Sequence, residues 1–153
     1  MSWRATFALL LFLVAAYTSV SVFVDSWEGR QCWLDGGNYA RLPFATAFRG
    51  ALDALSTTAR SSTFKAAFEI LSLTSFIWPL AAILISRNKI IPFSGLVLVL
   101  IPFFLLMHDR IYFGFNTFCD GNGMAAVGFA GMQLFIVLPI GLIIFCAALR
   151  ADD

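Results

Sequence analysis

Long apolar stretches broken by short polar ones set the pattern of this chain. They run from Ala5 to Val24, Ala66 to Ser86, Ile90 to Met107 and Met124 to Leu149, and the one charged residue inside them is Glu69. A helix crosses a bilayer core of about 30 Å with roughly 20 residues, so each stretch is long enough to span. Lipid offers no partners to backbone N–H and C=O groups, so a single crossing segment must bond to itself as a helix. Strands of a membrane barrel run near ten residues with alternating polarity, a pattern absent here. The expected fold is all-α: a polytopic, four-transmembrane-helix bundle forming a single domain over residues 1–153. Its spans are about 5–24, 66–86, 90–107 and 124–149, with long loops at 25–65 and 108–123 on one side. Arg4 and Ser19-Val20-Ser21 resemble a cleavable signal. The apolar run is long for one, and a retained span is expected.

A second, weaker period lies in the first long loop. Phe44, Phe48, Leu52 and Leu55 recur at helical spacing, while Arg49, Asp53 and Thr57 fall elsewhere on the wheel. This predicts a short amphipathic helix on the membrane surface or capping the bundle. Before it, Asp35-Gly36-Gly37-Asn38 is a turn signature. After it, Ser61-Ser62-Thr63 offers an N-cap for the second span, and Lys65 and Glu69 stand four apart on one helical face. Trp27, Trp33 and Tyr39 suit the membrane–water boundary. Pro79, Pro92, Pro102 and Pro139 fall within spans, where proline kinks a helix locally. In the fourth span Gly128-x-x-Gly131 and Ala126-x-x-x-Ala130 make a smooth face, matched by Ala15-x-x-x-Ser19 in the first, so spans one and four are expected to pack together.

Composition sharpens the membrane reading. The chain is 60% hydrophobic and 12% charged, with 17 Phe, against about 45–50% apolar and about 25% charged in soluble domains. With a net charge of +1 and no basic run, nucleic acid is not an expected partner. Charge alone does not orient the bundle. One side carries Arg4, Arg87, Lys89 and Arg150 in short segments; the other carries Arg30, Arg41, Arg49, Arg60, Lys65 and Arg110 spread over long ones. Cysteine adds an argument: Cys32 and Cys119 fall in the two long loops, which share one side, and outside the cytosol they can join as a disulfide. The expectation is therefore cytoplasmic termini and external loops, with Cys146 a small packing residue in the fourth span.

Catalytic chemistry finds little foothold. One His and three separated Cys do not make a closed zinc site, and no metal or cofactor is expected. There is no Gly-x-Ser-x-Gly elbow and no Cys–His signature. Four-helix disulfide-generating membrane oxidoreductases share the topology, but need a Cys-x-x-Cys that is missing. Two polar features remain. His108-Asp109-Arg110, at the end of the third span, reads either as a proton-handling or partner-binding cluster or as an interfacial cap with Arg110 on headgroups. Glu69 is the lone intramembrane acid, functional by default, yet close to Lys65 and to the boundary.

Residues 42–71, LPFATAFRGALDALSTTARSSTFKAAFEIL, resemble the first external loop and the beginning of the second span in immunity proteins against pore-forming colicins. The matching positions are Leu42, Pro43, Thr46 and Lys65; the paired loop cysteines and sparsely charged termini depart from that pattern. The resemblance implies a non-enzymatic bacterial inner-membrane protein that binds a toxin's channel-forming part and blocks pore opening. Candidate partner contacts are Arg49, Asp53, Glu69, Asp109 and Arg110. Besides lipid, the expected partner is thus a protein, either a toxin or a subunit of a larger membrane complex, the second reading. A small oligomeric channel or transporter is the third, for which Gln133 and a few hydroxyls are the only mid-membrane polar groups on offer.

Overall fold

A computed structural model describes residues 3–37, 39–86, 90–113, 119 and 123–151. Residues 87–89, between the second and third spans, and 114–118 and 120–122 of the second long loop lie outside them. All regular structure among the described residues is helical: α1 (Trp3–Leu34), α2 (Phe44–Ser61), α3 (Thr63–Thr74), α4 (Ile77–Ile85), α5 (Ile90–Phe113), α6 (Gly123–Met132) and α7 (Leu138–Ala151), the last two joined by a π-helical turn at Gln133–Val137. Four helical stretches are long and apolar enough to cross a membrane: Thr6–Leu34, Thr63–Ile85, Ile90–Ile111 and Ala125–Arg150.

The first span is longer than its apolar run. Residues 25–34, expected as loop, continue α1, and the third span likewise continues through 108–113. Of the charges that ended those runs in the sequence, Asp25, Glu28, Arg30 and Arg110 are paired in the fold. Thr6–Leu34 is about 43 Å long at 1.5 Å per residue, and a core of about 30 Å takes up its length to near Asp25. The last turns therefore emerge on the side of the long loops, called here the loop end. Helix α1 stops where the sequence permits a left-handed residue: Gly36 has φ 62° and Gly37 φ 88°. The Gly37 N–H donates to Cys32 O at 2.8 Å and Gly36 N–H to Trp33 O at 3.3 Å, a Schellman cap.

The second span is broken between α3 and α4. Pro79 has no N–H, and the helix is interrupted at Ser75-Phe76, one turn before it. The kinked segment is gripped from both sides. A Cβ on Gly95 of α5 would lie 2.9 Å from Pro79 O, and one on Gly141 of α7 would lie 2.7 Å from Pro79 Cδ. Only glycine lets both helices come this close. Leu11, Ala15, Phe76, Leu80, Val99 and Val137, from all four spans, form the buried apolar cluster. As expected, spans one and four pack along each other, α1 against α6. Ala15, Ser19 and Ala126 are buried, whereas Gly128 and Gly131 face open space.

Helix α2 forms as predicted and runs to Ser61. Ser62 ends it and caps α3, accepting from Lys65 N at 3.5 Å. Its docking face differs from expectation. Ala47 and Ala51 are buried, and a Cβ on Gly50 would meet the Trp27 ring at 2.5 Å, so the small residues seat α2 against α1. Phe44 and Leu52 remain exposed beside that seat, and Arg49 and Asp53 point away from it, exposed. The helix thus has three faces: a small-residue face seated on the protein, and a large apolar face and a charged face that are exposed.

Candidate functional site

Two acids on the emerging part of α1, one helical turn apart, organise the loop end. Asp25 is 7% exposed and Glu28 1%. An unpaired buried carboxylate costs several kcal/mol, so each must find cations or donors. Asp25 Oδ1 accepts from Arg41 Nη2 at 2.9 Å, and its Oδ2 from Arg110 Nη2 at 2.8 Å. Glu28 Oε1 accepts from the Leu42 backbone N–H at 3.0 Å and the Tyr39 hydroxyl at 3.5 Å; its Oε2 lies 3.5 Å from Arg41 Nε. Arg110 also donates from Nη1 to the Tyr17 hydroxyl at 2.8 Å, and its guanidinium lies 5.8 Å from that ring's centroid.

This lattice ties three separate segments together: α1, the 39–42 stretch of the first loop, and the end of α5. Burial, with Glu28 alongside as an anion, pushes the Tyr39 hydroxyl up to about 12, so Tyr39 is held as a neutral donor. A covalent tie closes the same region. Cys32 and Cys119 form a disulfide with Cα atoms 5.5 Å apart, the pairing expected of cysteines on one side of the bundle, although Cys32 sits on the last turns of α1 and not in a loop. Cys146, expected to pack, is instead exposed on α7.

The five proposed partner contacts separate on inspection. Arg49 and Asp53 are exposed on α2, and Asp109 is half-buried. Arg110, with its side chain 15% exposed, is engaged within the protein by Asp25 and Tyr17. Glu69 accepts from Arg30 Nη2 at 2.9 Å, so the partner expected from its own helix, Lys65, gives way to one from the first span. The reason is reach: α1 extends past Arg30 and brings a guanidinium to the same depth. Asp25, Glu28 and Arg41 were not singled out from the sequence. The available signal was two acids three residues apart directly after an apolar run, which a helix puts on one face.

A second polar group lies deeper. Ser72 Oγ donates toward Ala130 O at 3.3 Å and Gln133 Oε1 at 3.4 Å, tying α3 to the fourth span. Among the described residues no cluster of His, Cys, Asp and Glu suits a metal ion. No family model, curated protein or solved structure matches the chain.

Proposed function

We propose that this chain is a non-enzymatic membrane protein that binds a protein partner through its loop end. The observation carrying this reading is the division of labour among the charges. The buried acids are spent on holding the loop end rigid, while the charged face of α2, with Arg49 and Asp53, is displayed to water. A platform fixed by a disulfide and a buried ion lattice loses little entropy on binding, which favours recognition. A disulfide between the loops is supported in an oxidising compartment, so we place the loop end outside the cytoplasm, the termini inside, and the chain in a bacterial inner membrane.

The most concrete form of this reading is an immunity protein against a pore-forming toxin, in which Arg49, Asp53 and Asp109 contact the toxin. The test is protection. If a toxin gene lies beside the chain's own, cells expressing the chain should survive that toxin, which kills cells without it. Arg49→Ala with Asp53→Ala should abolish protection at unchanged membrane abundance. Killing of cells that carry the wild-type chain at full abundance would refute the immunity reading. Gly128 and Gly131, open on α6, favour a second reading as a subunit of a larger complex, since small residues let a partner helix approach closely. Under that reading the chain co-purifies with fixed partners in cells that hold no toxin.

A further inference from the structure

Below the ion lattice, α1, α3 and the fourth span border a small, partly open pocket of about 40 Å³, whose walls are mainly apolar (Val22, Phe23, Leu73 and Ala130) with polar groups set among them. It is lined by Ser19, Ser26, Arg30, Glu69, Ser72 and Gln133, among others. The polar groups descend as a ladder. On α1, Ser19, Ser26 and Arg30 share one face at spacings of seven and four, and Ser19 lies about 9 Å below Asp25 along the helix. On α3, Ser72 is one turn below Glu69.

At the bottom sits Gln133, 1% exposed. Its Nε2 has no acceptor among the described residues, while Oε1 is near Ser72. Turning the amide over would exchange donor for acceptor and still leave one end unpartnered. Such a group costs about 1–3 kcal/mol if it stays dry. Gln133 also opens the π-helical turn, where the Leu138 N–H reaches back to Gln133 O. Such single π turns recur where a helix serves a site.

We propose that this pocket is a built hydration site. A water molecule is hydrogen-bonded to the Gln133 amide, and the Arg30–Glu69 pair stoppers it from the solution at the loop end. The volume exceeds the roughly 10–15 Å³ that a cavity needs to admit one water, and Gln133, Ser72, Ser19 and Ser26 supply the polar partners a buried water needs. Glu69, the one acid in the apolar part of the second span, thereby acquires a role other than partner contact: with Arg30 it closes a vestibule into the loop-side half of the bundle.

The test uses the full chain, isotope-labelled and reconstituted in phosphatidylcholine vesicles, with solid-state NMR reading magnetisation transfer from water. Transfer to the Gln133 side-chain amide should build up as fast as transfer to Arg30, with lipid-facing Phe135 and Ile136 lagging. A Gln133 amide that lags with Phe135 and Ile136 overturns the proposal. The stopper is tested separately with Ser72→Cys in a Cys146→Ser background, labelled by a small water-soluble thiosulfonate. Adding Arg30→Ala should raise the labelling rate about fivefold, the order of one exposed ion pair. An unchanged rate removes the pair's closing role.

Discussion

At the scale of single residues, Arg110 matters most. It gives Asp25 one of its two cations and holds Tyr17 as well. Removing one partner of a buried pair strands the other, which costs about 3–5 kcal/mol. Because Asp25 keeps Arg41, Arg110→Ala is expected near the low end, about 3 kcal/mol, read as an earlier unfolding midpoint on titration with dodecyl sulfate. The double variant Arg110→Met with Asp25→Leu should be more stable than Arg110→Ala, because the buried carboxylate is gone and the partly exposed Arg41 keeps Glu28. A double variant that unfolds as early as the single one would mean that the residues act through shape and not through charge. The sequence presents Arg110 as a displayed boundary cation. Its partner Asp25 is 85 residues away, and no local spacing rule links positions so far apart.

At the scale of elements, the broken second span and its two glycine contacts are the tightest joint in the bundle. Gly141→Ala pushes a methyl into the Pro79 ring, and overpacking of this kind costs about 1–3 kcal/mol. Gly128→Ala meets nothing within 4 Å and should be neutral within about 0.5 kcal/mol. Equal shifts for the two in the same titration would contradict the packing described. The spans, the turn at Gly36-Gly37, the Ser62 cap and the existence of α2 were legible in the sequence, because each rests on local periodicity or on residue types with fixed backbone preferences. The face on which α2 docks was not. Its Phe and Leu residues mark the most apolar side, but apolar surface is also satisfied by lipid, so in a membrane the close contacts fall to small residues instead. Gly128 and Gly131 show the limit of the same rule, since a smooth face is permission to pack and not a contact.

At the scale of the whole molecule, the Cys32–Cys119 disulfide joins the end of α1 to the second long loop, across 87 residues of chain. Without reductant, alkylation of the unfolded chain should label Cys146 alone, and reductant should expose Cys32 and Cys119. Labelling of all three before reduction would exclude the bond. By chain entropy a loop of this length gains at most about 4–5 kcal/mol from closure. Cys32→Ser should yield less, because spans that stay inserted limit the freedom of the unfolded chain.

The sequence by itself determined that this is a four-span helical protein with its polar material gathered at one end, because crossing lipid constrains length, apolarity and backbone bonding locally. It also marked the two loop cysteines as a pair. Only the tertiary structure decided which charges are displayed and which are spent. Arg30 takes Glu69, Arg41 and Arg110 share Asp25, and the buried Gln133 lines a small pocket between the spans. These pairings depend on how far each helix extends and on which neighbour stands at the same depth, and both are properties of the assembled bundle.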